Sequence, residues 1–254
     1  MSSTSTVQDH RRPVPFGHLI RVHAPIWRAQ RGVVAGCLLA LVVGLLAVGG
    51  SMATLSGPVT AAAVSTRFSG LPIAAFALLW LAVGAIAAVA PFKSGWAPVL
   101  LTVAPRRSRW LAACLVSFLL LTVAVTVLFA TLAVVVTVVV LAAKGHQPGP
   151  ALSIWRPAGT TLVIVVLQAG IGFLLGAATR SVTASIIIGY VVVPTLPMVK
   201  FGSVDLGRWL DLDRALTDLT SGSGHALLPA LIVVLLWVAV PVLVAWSRLR
   251  SSVA

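Results

Sequence analysis

Six apolar runs, each close to or above the length of a membrane span, constrain this 254-residue chain more than any other feature. A helix needs about 20 predominantly apolar residues to cross the hydrocarbon core of a bilayer. The runs show no strand-like alternation of polar and apolar residues, so we predict helical spans and not barrel strands. The predicted spans are about 33–55, 72–90, 110–143, 160–179, 182–199 and 226–246.

The composition supports a membrane location for these runs. Hydrophobic residues make up 59% of the chain and charged residues 9%, which is too little charge to cover the surface of a soluble domain. We therefore predict an all-α polytopic membrane protein. The third run is long enough for a helix of roughly 50 Å, which exceeds the hydrocarbon thickness and requires a tilt, a kink or a protruding end.

The net charge of +13 suggests nucleic acid at first, but the basic residues lie between the apolar runs and form no continuous stripe. Basic residues in that arrangement orient membrane helices and meet anionic headgroups. Twelve of the eighteen lysines and arginines fall on the side that holds both termini, which predicts cytoplasmic termini. Arginine outnumbers lysine fifteen to three, and Ala, Val and Leu dominate, which indicates a GC-rich bacterial genome. With the apolar spans, this predicts a protein of a bacterial plasma membrane.

The charge pattern divides the chain into three parts: a cytoplasmic tail with an elbow helix (1–32), a six-helix membrane domain (33–247) and a short cytoplasmic tail (248–254). Apolar residues at helical spacing in the basic N-terminal tail predict the interfacial elbow, although a purely topogenic tail also fits. The outer loop 200–225 predicts a short amphipathic helix before the last span, or an ordinary solvated loop. Six tryptophans fall near predicted interfaces: Trp27, Trp96, Trp110, Trp155, Trp209 and Trp246.

The predicted spans contain no carboxylate, histidine or lysine, and glutamate is absent from the whole chain. Ion-coupled transporters place such groups on the pathway, so we expect no ion coupling. The chain has no phosphate-binding loop, and we expect no catalytic, cofactor or metal site. Cys37 and Cys114 are expected to act as small apolar residues, and Gln168 to form an interhelical hydrogen bond. If this chain transports a substrate, the energy must come from a separate partner that docks from the cytoplasm.

The cytoplasmic loop 91–109, "PFKSGWAPVLLTVAPRRSR", is the candidate for that docking. Its apolar residues recur at i, i+3, i+4 and i+7, which predicts one helical face that must be buried in headgroups or in another protein. Pro105 ends this short helix, and arginines follow it. The predicted docking residues are Trp96, Val99, Leu100, Val103, Pro105, Arg106, Arg107 and Arg109.

This loop resembles the segment after span two in the permease subunits of ABC-2 type ATP-binding-cassette exporters. The match covers Gly95, Leu100, Leu101, Pro105, Arg107 and Arg109, and the layout of elbow, six spans and outer helix is also similar. The chain departs from the family at Lys93, where a glutamate is usual, and at Trp96, where a threonine is usual. The resemblance implies a separate ATP-binding subunit that carries ATP and Mg²⁺, and a second permease copy or a paralogue.

Other interpretations of the residues remain open at this stage. The arginines after Pro105 also serve to hold the loop in the cytoplasm, with or without a docking role. The whole chain also fits a non-transporting membrane scaffold, assembly factor or immunity factor. A proton-coupled carrier is the third alternative, and the missing intramembrane carboxylates argue against it.

Overall fold

The structure is a computed structural model that describes residues 30–56, 59–93, 107–147 and 149–192, with Gly17, Trp27 and isolated positions between 232 and 247. All regular elements in these ranges are helical. They are α1 (Arg31–Ala53), α2 (Ala61–Ser69), α3 (Leu71–Lys93), α4 (Arg107–Ala143), a 3-10 turn (Gly149–Ile154), α5 (Trp155–Thr179) and α6 (Val182–Ile187), which continues into a π-helical turn (Ile188–Val192).

Four helical stretches are long and apolar enough to cross a membrane: Arg31–Ala53, Ala61–Lys93, Arg109–Ala143 and Gly149–Thr179. The predicted helical membrane fold is confirmed, and these helices cover the first four predicted spans. The fifth predicted span begins at Val182 as expected and is described to residue 192. Most of the sixth span, the elbow (apart from Gly17 and Trp27) and the loop 200–225 lie outside the described residues.

The short helix α2 was not predicted from the sequence. It begins at Thr60, whose hydroxyl accepts a hydrogen bond from the backbone N–H of Ala63, and it ends at Gly70. Val64 and Phe68 are its buried residues. With nine residues and only two inward-facing large side chains, α2 produces a much weaker apolar pattern than the spans.

Helix α4 is continuous over 37 residues, close to the long third span expected from the sequence. At 1.5 Å per residue it is roughly 55 Å long. Its buried threonines donate hydrogen bonds to carbonyl oxygens one turn earlier, as Thr122 does to Phe118 and Thr137 to Ala133. Because these hydroxyls are satisfied within their own helix, the interior of the bundle stays effectively apolar.

The helices alternate in direction through the bundle. Along α1, Gly36 lies against Val83 and Gly44 against Phe76, so α1 and α3 are antiparallel. Gly44 also lies against Phe129 and the end of α1 against Lys144, so α1 and α4 are parallel. We call the end where α1 and α4 begin and α3 and α5 finish the base.

The centre of the bundle is a backbone contact between α3 and α5. A Cβ atom added at Gly84 would overlap the carbonyl oxygen of Ala169, and one added at Gly172 would overlap the carbonyl oxygen of Leu81. At Gly176 an added Cβ would lie 2.8 Å from the carbonyl oxygen of Ala85. Glycines at these positions permit the close approach of the two backbones.

A continuous set of aromatic rings joins the other helices to this central pair. Phe76 stacks on Phe129 with ring centroids 4.0 Å apart. Trp80, in the middle of its span, is fully buried between helices. Edge-to-face and offset contacts of this kind add to the energy of burial. The rings in the set are Phe68, Phe129, Phe76, Trp80, Phe118, Phe173 and Trp27.

Trp27 belongs to this packed interior, although its sequence position suggested an interfacial ring. It is buried, and its indole N–H donates to the Ser117 hydroxyl at 2.9 Å, which in turn donates to the carbonyl of Cys114. An indole ring can be buried where its N–H finds an acceptor, and Ser117 supplies one. Trp27 thereby attaches the start of the chain to α4.

At the end opposite the base, the Lys144 side chain links the end of α4 to the end of α1. Its ammonium group donates to the carbonyl oxygens of Leu55 at 2.9 Å and of Ala53, with a longer contact to Met52 at 3.5 Å. These carbonyls belong to the C-terminal turn of α1 and the residues after it, where a cation is favoured by the helix dipole. The contact fixes the end of α1 beside the end of α4.

Helices α1 and α4 present apolar stripes on their outer faces. Exposed residues recur every four positions along α1 and at similar spacing along α4, which is the pattern of a helix that faces lipid on one side. The α1 stripe includes Val34, Leu38, Val42 and Leu46. In contrast, α3 and α5 are mostly buried.

We expect the variant Gly172→Ala to lower stability by about 1–3 kcal/mol, because the added methyl must separate α3 from α5. Thermal unfolding in detergent, followed by size-exclusion chromatography, measures the effect. Gly170→Ala is the matched control, since its Cβ would come no closer than 3.9 Å to Leu119. Equal melting temperatures for the two variants would contradict the backbone contact.

Candidate functional site

The structure describes only part of the predicted docking loop. Most of the predicted docking residues fall within 94–106 and lie outside the described residues: Trp96, Val99, Leu100, Val103, Pro105 and Arg106. Arg107 is the first residue of α4, and Arg109 is exposed on its first turn. The predicted break at Pro105 lies outside the described residues.

The two ends of this loop lie side by side at the base. Phe92, near the end of α3, meets Trp110, in the first turn of α4, edge to face with ring centroids 6.2 Å apart. Trp110 is buried, so the contact belongs to the packed bundle. The described residues on either side of the segment 94–106 are therefore in contact at the base.

The turn between α5 and α6 supplies a third component of the base. The guanidinium carbon of Arg180 lies 5.6 Å from the centroid of the Phe92 ring, which is the geometry of a cation–π contact. Arg180 has a φ of 55° and its backbone N–H bonds to the carbonyl of Gly176. Ser181 then caps α6 by accepting a bond from the N–H of Ala184. We call Phe92, Trp110 and Arg180 the base cluster.

The base carries most of the positive charge in the described part of the chain. Five of the eight lysines and arginines in the described ranges lie there: Arg31, Lys93, Arg107, Arg109 and Arg180. No aspartate or glutamate occurs in those ranges. The positive end of the α4 dipole adds to the arginines of its first turn. This arrangement attracts anionic groups, on a lipid or on a protein.

The described interior offers few groups for chemistry. Cys37 and Cys114 are free and buried, in agreement with their expected apolar role. The ranges that the structure describes contain no group of three or more His, Cys, Asp or Glu side chains able to hold a metal. The buried Oε1 of Gln168 has no hydrogen-bond partner among the described residues. This oxygen therefore does not form the expected interhelical hydrogen bond with any described residue.

The base cluster was not predicted as a unit. In the sequence, Arg180 is one of the twelve basic residues that predict cytoplasmic termini, and Trp110 is predicted to be an interfacial ring. The available signal was the short polar interruption between two apolar runs, Thr179-Arg180-Ser181, which indicates a tight helical hairpin. That signal places Arg180 in a turn, but it does not reveal which ring the guanidinium contacts.

A comparison with protein-family models finds no match to this chain, and a comparison with curated proteins finds none either. A functional assignment must therefore come from the geometry of the base and from the residues of the docking loop.

Proposed function

We propose that the chain is the membrane-spanning permease subunit of an ATP-binding-cassette exporter of the ABC-2 type. It provides the translocation pathway in a bacterial plasma membrane, and a separate ATP-binding subunit supplies the energy. Two permease copies, or this chain with a paralogue, enclose the pathway. The apolar interior of the bundle suits a hydrophobic or amphiphilic substrate.

The observation that supports this proposal is the contact between Phe92 and Trp110 at the base. These two residues flank the docking residues, so both described ends of the loop are held at one place on the bundle. The sequence of the loop predicts that Trp96 and Leu100 share one helical face. An apolar face outside the spans needs a partner surface or lipid headgroups to cover it.

The positive charge of the base supports a cytoplasmic orientation. Lysine and arginine are enriched in cytoplasmic loops, and the base holds five of the eight such residues in the described ranges. With the base inside, the docking loop faces the cytoplasm, where ATP is available. The same charges favour the approach of a partner with an acidic rim.

The docking role predicts a specific loss of partner binding. We expect the double variant Trp96→Ala, Leu100→Ala to weaken binding of the ATP-binding subunit at least about tenfold, because aromatic anchors carry much of an interface's energy. Co-purification from native membranes, with the bound ATP-binding subunit quantified by mass spectrometry, measures the loss.

The control for this experiment is Leu101→Ala, which makes the same truncation as the Leu100→Ala component but at a neighbouring position outside the predicted face. Both variants are checked for membrane level and for orientation. If the double variant retains its partner at the parental level, the segment is only a charged loop. If the parental chain carries no ATP-binding subunit, a scaffold or assembly role takes the place of the permease function.

The proposed orientation predicts the accessibility of two sites. In a chain with Cys37 and Cys114 replaced by alanine, a cysteine at His146 is expected to react with an impermeant maleimide in intact cells. A cysteine at Ser3 is expected to react only after the membrane is permeabilised. His146 is exposed and lies at the end opposite the base. Labelling of position 3 in intact cells, with protection at position 146, would contradict the proposed orientation and show that the base faces outward.

A further inference from the structure

The base cluster brings together residues from three elements that are far apart in the sequence. Phe92 is near the end of α3, Trp110 is at the start of α4, and Arg180 is in the turn after α5. Phe92 lies between the other two, with Trp110 perpendicular to its ring and the Arg180 guanidinium above it. The cluster therefore connects both ends of the docking loop to the α5–α6 turn.

The position of Arg180 is set by the backbone of its turn. Its left-handed conformation is uncommon for a residue with a side chain and persists where the surroundings hold it. The Thr179 hydroxyl donates to the Leu175 carbonyl at 2.9 Å and lies 2.9 Å from the Ser185 hydroxyl, which joins the two helices across the turn. Arg180 is thus presented toward Phe92 by a closed, hydrogen-bonded hairpin.

The hairpin is in turn attached to the centre of the bundle. Helix α5 contacts α3 through its backbone at Gly172 and Gly176, and Gly189 in the π-helical turn lies against the Leu81 side chain. The hydroxyl of Tyr190 donates to the carbonyl of Leu78 in α3. A displacement that enters this hairpin at its turn is therefore carried by backbone and side-chain contacts into the buried part of the bundle.

From this arrangement we infer that Arg180 is a positioning residue that couples the docking loop to the α5–α6 hairpin. The inference rests on the proposed function and names the route by which the ATP-binding subunit moves the membrane helices. When the docked loop moves, Phe92 and Trp110 move with its ends, and the cation–π contact transfers this motion to Arg180. Arg109, exposed in the first turn of α4, occupies the same end of the bundle.

The test uses the complex of this chain with its ATP-binding subunit, purified from native membranes and reconstituted in nanodiscs. Hydrogen–deuterium exchange of residues 176–185 is measured without nucleotide and with ATP plus vanadate. In the parental complex we expect nucleotide to change exchange in this segment. Arg180→Gln and Phe92→Leu are each expected to reduce that change at least fivefold while the partner stays bound, and the double variant to add little further loss.

Two control variants separate coupling from charge and from folding. Arg180→Lys keeps the cation above the ring and is expected to restore part of the change. Arg31→Gln removes an exposed base cation that belongs neither to the cluster nor to the docking residues, and it is expected to retain the full change. All variants must show the parental melting temperature within about 2 °C, a shift that corresponds to a small stability change.

The possible outcomes distinguish the two claims. A nucleotide response at 176–185 that persists in both Arg180→Gln and Phe92→Leu would overturn the coupling role, and so would a parental complex whose exchange there ignores nucleotide. An equal loss in Arg31→Gln would assign the effect to base charge alone and would also overturn it. A parental chain that binds no ATP-binding subunit would instead refute the proposed function.

Discussion

The backbone contact between α3 and α5 is the interaction on which the rest of the bundle depends. In a bilayer, apolar side chains gain little by leaving lipid for a neighbouring helix, so helices associate through close packing. Gly84, Gly172 and Gly176 allow the two backbones to touch. The remaining helices then pack around this pair through aromatic rings, and their outer faces stay apolar toward lipid.

The same contact determines which residues meet at the base. Because α3 and α5 run in the same direction and touch between Leu81 and Ala85 of α3, the end of α3 and the turn after α5 lie together at the base. Phe92 and Arg180 are in contact there, and Trp110 adds the start of α4. Under the proposed function, a docking loop attached to this cluster would act on three elements and not on one helix.

Apolar length in the sequence was sufficient to predict the first four spans, but it did not predict which residues these helices bring into contact. Apolar length predicts a membrane helix regardless of tertiary contacts, so the expected 33–55 and 72–90 correspond closely to α1 and α3. Helix α2 was missed because its nine residues are interrupted by Ser65, Thr66 and Arg67 and form no apolar run of membrane-spanning length. The burial of Trp27 and the contact of Arg180 with Phe92 join residues distant in the chain, and no local pattern encodes such pairs.

The central claim is that the docking loop binds an ATP-binding subunit, and photo-crosslinking in living cells tests it most directly. A photoreactive phenylalanine analogue is placed at Leu100, and in a second strain at Leu46 on the exposed stripe of α1. We expect position 100 to cross-link to a protein that carries a phosphate-binding loop, and position 46 not to do so. Cross-links from position 100 only to lipid or to copies of this chain would contradict the claim.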